Sequence, residues 1–258
     1  MPSDEDDQAI ATELLREQRA GRPYRRLEGD VEQGYRVQRH FQALAREAYG
    51  HGPAIGYKIA LTSKAMQTMV GVSEPLAGCV FADRVLANGS AITLSTHNHL
   101  GMEFEVAVRF DRALSGDGDS HCADSLHALN PAYAPAYELI DDRHADYSQI
   151  NAFSVIAENS WNAGVMLGDF SRQPVAASAS TRLMIDGVLA GEGVVGDALG
   201  HPLEAVAWLA NRLNAQGHDL EAGAFVMTGS SIRTTFPDAG QRYHFEVEGL
   251  GSVSTQLV

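Results

Sequence analysis

The chain has 258 residues, 45% of them hydrophobic, which suffices for one large core without forcing a second. A formal net charge of −14 is the opposite of the clustered Lys and Arg of a phosphate-backbone binder, so nucleic acid and anionic membrane surfaces are poor partners. There is no apolar run of a membrane-spanning length, the acidic opening Ser3-Asp4-Glu5-Asp6-Asp7 is unlike a secretory signal, and Cys79 and Cys122 form no metal or redox spacing, so a reduced cytoplasmic protein of enzyme size is expected.

Residues 8–21 read as a helix with Ile10, Leu14 and Leu15 on one side, and the acids at 4–7 favour its N-terminus. A second helix is expected from about Asp30 to Tyr49. Asp30 with Gln33 imitates a capping box, and Val31, Gly34, Val37, Phe41 and Leu44 make an apolar stripe. Gly50, Gly52 and Pro53 then break the chain, separating an N-terminal helical segment, 1–52, from the remainder, 53–258.

Residues 54–61 read as a strand with Tyr57, Ile59 and Leu61 on one face and Gly56, Lys58 and Ala60 on the other. Lys58 stands between two minimal side chains, which leaves room above it for a ligand; an edge-strand lysine that discourages aggregation is the alternative. Thr62 and Ser63 precede a short helix, Lys64 to Val70, ended by Gly71. They are either carboxylate-binding groups or ordinary caps. Asp83, in Phe81-Ala82-Asp83-Arg84, is a candidate general acid or base, or a structural partner of Arg84 or Lys58. His97 and His99 invite a zinc reading, but no third nitrogen or sulfur ligand accompanies them and the nearby carboxylates suit a harder ion.

From Leu100 to Phe110 the sequence alternates. Met102, Phe104, Val106, Val108 and Phe110 point one way, Glu103, Glu105, Ala107 and Arg109 the other, as in a half-buried strand. Carboxylates at i and i+2 lie ~6.5–7 Å apart at Cα and can lean onto one hard cation, although a solvated strand face has the same pattern. The Gly- and Asp-rich stretch 115–120 reads as a mobile surface loop and lacks the ligand order of a calcium loop. A short helix, Ala123 to Leu129, precedes a strand over residues 134–140 that carries Glu138 beside the small Ala136. Pro135 argues for a strand start or an edge. Asn159, Ser160 and Asn162, in a polar stretch before the strand Val165-Met166-Leu167, are candidates for substrate hydrogen bonds; tight-turn satisfaction explains them as well.

The remainder reads as scaffold. Asp186-Gly187 marks a hairpin, His201 caps a helix from Pro202 to Gln216, residues 224–228 form a buried strand ending at Gly229-Ser230-Ser231, and two further strands follow. Strands outnumber helices and several are hairpins, which points to an α+β fold with a mixed or antiparallel sheet. Three carboxylates, Glu103, Glu105 and Glu138, with no Cys or His ligand, suit Mg2+ or Mn2+. Such an ion is a Lewis acid toward a chelating substrate, and a 2-oxo acid presents two oxygens for that purpose.

Several stretches together resemble the 2-keto-4-pentenoate hydratase and 2-oxohept-4-ene-1,7-dioate hydratase family, of the fumarylacetoacetate hydrolase-like superfamily. They are residues 56–67 (Gly-Tyr-Lys-Ile-Ala-Leu-Thr-Ser-Lys-Ala-Met-Gln), Phe81-Ala82-Asp83, Glu103-Phe104-Glu105, residues 136–141, Gly200-His201-Pro202, Thr228-Gly229-Ser230 and residues 249–252. The likeness runs in one register from about residue 8 to the C-terminus. It implies a mixed β-roll, Glu103, Glu105 and Glu138 as ligands of Mg2+ or Mn2+, and Lys58 and Asp83 as groups assisting proton transfer or substrate binding. It also implies homo-oligomers and a reaction that adds water to a 2-hydroxy-2,4-dienoate to give a 4-hydroxy-2-oxo acid, in catabolism of aromatic-ring cleavage products.

The sequence departs from the family pattern at Leu100-Gly101-Met102, where many relatives have Pro-Arg-Val, and at Trp161, which adds bulk; a changed pocket is expected. Competing expectations are decarboxylation of a 4-oxalocrotonate-type diacid, hydrolysis of an acylpyruvate, and a catalytically silent metal-binding subunit that partners a related decarboxylase or hydratase.

Overall fold

The computed structural model describes residues 3–116 and 120–258; the middle of the expected 115–120 loop lies outside the described residues. Helix α1 (Asp4–Arg19) begins at a reciprocal cap: Ser3 Oγ accepts the Asp6 N–H while the Asp6 carboxylate accepts the Ser3 N–H. The acids at 4–7 are therefore its first turn rather than its approach. Helix α2 (Val31–Tyr49) is capped by Asp30, whose Oδ1 accepts the Gln33 N–H at 2.8 Å, and ends at Gly50 in the left-handed region. Ala11, Leu14 and Leu15 of α1 pack with Val37 and Phe41 of α2 and with Phe153. Gln38 of α2 donates through Nε2 to the carbonyls of Ala77 and Ile156, tying this helix to one strand and one short helix beneath it.

The strands and remaining helices follow in chain order: β1 (Ala54–Ala60), α3 (Lys64–Val70), β2 (Leu76–Phe81), β3 (Val85–Ala87), β4 (Ala91–Ile92), β5 (Leu100–Arg109), α4 (Ala123–His127), β6 (Ala132–Asp141), α5 (Ala152–Ala157), β7 (Asn162–Leu167), β8 (Ser180–Ile185), β9 (Val188–Val194), α6 (Pro202–Ala215), β10 (Phe225–Thr235), β11 (Arg242–Val247) and β12 (Gly251–Leu257). They form two sheets, a seven-stranded one in the order β2-β1-β10-β5-β6-β7-β3 and a five-stranded one in the order β4-β12-β11-β8-β9. Pairs β1/β10, β3/β7 and β4/β12 are parallel and the others antiparallel, which makes this the mixed α+β architecture expected. No helix among the described residues is long and apolar enough to cross a membrane.

The alternation of β5 decides how the sheets pack. Met102, Phe104, Val106 and Val108 enter the core between the sheets, where Phe104 meets Phe245 at a ring separation of 5.7 Å and Tyr137 Oη donates to the Val253 carbonyl at 2.8 Å. Each such side chain contributes about 1.5–3 kcal/mol by leaving water. The opposite face is also covered, which corrects the expectation of a half-buried strand. Ala107, Ala134, Ala136, Val165, Phe225 and Met227 fill a second core on the other side of the large sheet, and Glu105 is buried among them.

Two more expectations change. Strand β6 is central, not an edge, despite Pro135. Pairing with β7 ends at Ala136↔Leu167, so on that side Pro135 is not asked for an N–H and offers only its carbonyl, to Gly168 N. Strand β10 does not stop at Gly229 but continues to Thr235 through register shifts against β5, so a stretch that reads as the end of a strand is a bulge within one.

Candidate metal centre

Two adjacent strands supply one set of carboxylates. Glu103 and Glu105 lie on the same face of β5, and Glu138 stands on β6 directly opposite Glu103 in the antiparallel register. One ligand atom from each lies within 4.8 Å of the others. Each carboxylate is held by one oxygen: Thr234 Oγ1 donates to Glu103 Oε1 at 2.8 Å, the Gly229 N–H to Glu105 Oε2 at 2.8 Å, and Asn162 Nδ2 to Glu138 Oε1 at 3.0 Å. Glu105 Oε1 and Glu138 Oε2 remain buried without a hydrogen-bond partner. Buried anionic oxygens left so are strongly unfavourable unless a cation or proton meets them. An all-oxygen set with free lone pairs fits a hard divalent ion such as Mg2+ or Mn2+.

The protonation balance agrees. Burial drives the Glu105 carboxyl well above the carboxylate range, and the charges of Glu138 and Glu103 add to it. Burial likewise pushes Glu138 up to about 7, against the pull of Lys58. Lys58 is itself 2% exposed, in the interior strand β1, which rules out the edge-strand reading. Its Nζ lies 3.2 Å from Glu138 Oε1 and donates to the Ser160 carbonyl at 3.0 Å. Burial acts to lower the ammonium, but Glu138, Glu103 and Glu105 outweigh it and hold Lys58 above its usual value.

The backbone around the lysine is forced. Asn159, Ser160 and Trp161 are consecutive left-handed residues, and Leu61 is another. Such conformations cost of order 1–3 kcal/mol each and concentrate where a site dictates geometry. The turn presses so closely on β2 that a Cβ at Gly78 would sit 2.5 Å from the Asn159 carbonyl oxygen. Gly229 plays the same part on β10: a Cβ there would lie 2.3 Å from Thr62 Cγ2. Its lack of a side chain is what brings its N–H onto Glu105.

A cavity of about 430 Å3 reaches the trio at Glu103. Lys58, Thr62, Ser63, Glu103 and Ser160 line its polar part, and Ile140, Ile150, Val155 and Trp161 its apolar wall. A larger cavity of about 810 Å3, between α2, α6 and the start of β1, contains none of these polar groups. Thr62 and Ser63 are thus at the site, Ser63 Oγ also accepting the Met66 N–H. Ser160 is there too, but its hydroxyl is spent on the Ala77 carbonyl and its carbonyl on Lys58.

Two expected site residues are not brought in. Asn159 joins the turn to β2, accepting from Cys79 N and donating to Cys79 O, and accepts from Gln42 Nε2; it does not line the cavity. Asp83 follows the end of β2, past the start of β1, where its oxygens accept the Gly52 N–H at 2.9 Å and meet His51 Nδ1 at 2.8 Å. It is a half-exposed clamp on the turn that enters β1, not part of the cavity wall. Sequence reasoning also missed Tyr147, Asp197, Arg233 and Thr234, all of which line the cavity. Asn162, named only as one of three loop candidates, is the residue of that loop whose side chain touches a carboxylate of the trio.

No family model matches the chain. The 2-hydroxyhexa-2,4-dienoate hydratase of Comamonas testosteroni is 32% identical over 232 residues, covering 88% of this chain and 86% of that protein. The 2-keto-4-pentenoate hydratase of Burkholderia vietnamiensis is 31% identical over 261 residues, 98% of each. Among solved structures, 4-oxalocrotonate decarboxylase from Pseudomonas putida G7, complexed with magnesium and adipate, superposes with a TM-score of 0.90 at 26% identity, covering 100% of this chain and 99% of that one. On sequence likeness along nearly its whole length and on a shared fold, this chain belongs to the 2-keto-4-pentenoate hydratase family, within the fumarylacetoacetate hydrolase-like superfamily.

Proposed function

We propose that the protein is a metal-dependent hydratase that adds water to a 2-hydroxy-2,4-dienoate to give a 4-hydroxy-2-oxo acid. The observation that carries the reading is the carboxylate trio: three glutamates, each anchored by one oxygen, of which Glu103 lines a cavity that also receives Lys58. Glu103, Glu105 and Glu138 would hold Mg2+ or Mn2+. When bound, that ion supplies a Lewis acid that draws electrons from the carbonyl end of a 2-oxo acid.

The remaining work falls to the chain's own groups. Lys58, kept as an ammonium, donates a proton from Nζ to the far carbon of the diene while the 2-hydroxyl gives up its own as the carbonyl forms, and that proton restores the ammonium. The conjugated ketone that results accepts water at C4. Thr62 and Ser63, which line the same cavity, offer hydroxyls to the substrate carboxylate. Ile140, Ile150, Val155 and Trp161 exclude bulk water and orient the carbon chain. The helical segment 1–52 and the β-roll 53–258 are proposed as the two parts of the chain, and homo-oligomeric assembly belongs to the same proposal.

Decarboxylation of a 4-oxalocrotonate-type diacid is the second reading, supported by the full-length likeness to a decarboxylase. It uses the same electron sink and needs no activated water, and the absence of Asp83 from the cavity removes one candidate base for water activation. Assaying 2-hydroxypenta-2,4-dienoate and 4-oxalocrotonate side by side, with Mg2+ or Mn2+, decides between them. Water addition to the dienoate without CO2 release supports the hydratase; CO2 release alone supports the decarboxylase.

A further inference from the structure

We propose that Arg233 selects substrates that carry a second carboxylate at the end remote from the 2-oxo acid; the inference rests on the 2-oxo acid reading of the site. Among the described residues, Lys58 and Arg233 are the two with basic side chains that line the 430 Å3 cavity, and they differ in every other respect. Lys58 is buried and committed to Glu138 and the Ser160 carbonyl. Arg233 is exposed at the rim, and none of the ion pairs among the described residues uses it.

Its position is fixed by its neighbour. Thr234, the next residue on β10, donates to Glu103 Oε1, so the arginine is tethered one residue from the carboxylate trio while its side chain reaches outward. Strand β5 supplies no cation here. Gly101 lies two residues before Glu103 on the same face, and a Cβ there would meet Thr234 Cγ2 at 3.1 Å and Ile140 Cγ1 at 2.9 Å. The space beside Thr234 is thus closed to a side chain from β5, and Arg233 on the adjacent strand is what brings positive charge to this end of the cavity. Asp197 also lines the wall, but its Oδ2 accepts the Val194 N–H at 2.9 Å.

Charge makes the assignment specific. A chain of net charge −14 repels a dianion on approach, so a dicarboxylate needs a local cation where its second charge comes to rest. A guanidinium at the rim matches a carboxylate through paired N–H donors, whereas a substrate ending in a methyl group gains nothing from it. Glu103 and Arg233 line the same cavity as Ile140, Ile150 and Trp161, an apolar wall on which the carbon chain between two charged ends can lie.

The test is a matched pair of six-carbon ligands, 2-oxoadipate and 2-oxohexanoate, titrated calorimetrically into the Mg2+-supplemented protein. The wild type should bind 2-oxoadipate at least about tenfold more tightly, a preference that shrinks as salt is raised. Arg233→Ala should abolish the preference and leave 2-oxohexanoate affinity unchanged, and Arg233→Lys should restore part of it. Equal affinities in the wild type, or equal loss of both ligands in Arg233→Ala, overturn the role of Arg233 while leaving the 2-oxo acid reading intact. Failure of the wild type to bind either ligand overturns both.

Discussion

Lys58 Nζ stands 3.2 Å from Glu138 Oε1, and neither side chain reaches solvent. A cation and an anion removed from water together are tolerable only while each has the other, and deleting one partner of such a pair costs about 3–5 kcal/mol. Here Glu138 has a second claim on it, because its other oxygen is buried without a partner and its carboxylate lies within 4.8 Å of those of Glu103 and Glu105.

Lys58→Ala is therefore expected to act twice. Turnover should fall by at least about a hundredfold with a much smaller change in KM, as for a group that moves a proton. The metal-free protein should also unfold at lower denaturant, and Mg2+ should recover part of the loss by meeting Glu138. Steady-state kinetics and denaturation with and without Mg2+ check both; a change in KM alone would make Lys58 a binding residue.

Asp83→Asn should leave kcat within about twofold of the wild type. The side chain anchors the Gly52 turn and His51 rather than the cavity, so its loss belongs to stability, at about 0.5–1.5 kcal/mol for a hydrogen bond of this kind. A collapse in turnover without loss of stability would return Asp83 to the reaction.

The contrast between these two residues shows what was legible in the sequence. Strand alternation revealed the Glu103/Glu105 pair and the small neighbours of Lys58, because a two-residue period is local. It did not reveal that Asp83 and Asn159 point away from the cavity, because that depends on how β2 and the 159–161 turn pack on distant elements. Gly229-Ser230-Ser231 reads as the end of a strand. The structure makes it a bulge, since Gly229 must pass against Thr62 and give its N–H to Glu105, and only beyond the bulge do Arg233 and Thr234 reach the site. Pro135 misled for the same reason: its tolerance at the centre of the sheet depends on where β7 stops.

Glu158 provides a pH signature remote from the trio. Burial raises its carboxyl to about 7, although Arg143 at 2.5 Å pulls the other way. The folded state thus holds this proton more tightly than the unfolded chain, whose carboxyl titrates near 4.5. Stability from this group is complete below the unfolded value and is lost as pH rises through about 7. Relative to Glu158→Gln, the wild type should lose on the order of 2–3 kcal/mol between pH 4.5 and 8. Denaturation curves of the two proteins across that range would have to run parallel to refute this.

The most direct test of the whole account is Mn2+ binding by the wild type and by Glu105→Gln, followed by calorimetry or by the electron-spin signal of free Mn2+. The wild type should take up one ion per chain, more tightly as pH rises and the buried carboxyls of Glu105 and Glu138, both raised above the usual range, give up their protons. Glu105→Gln, nearly isosteric and still able to accept the Gly229 N–H, should stay folded and lose at least about a hundredfold in affinity. A wild type that binds no Mn2+, or a folded Glu105→Gln that binds it undiminished, would contradict the assignment of the three glutamates.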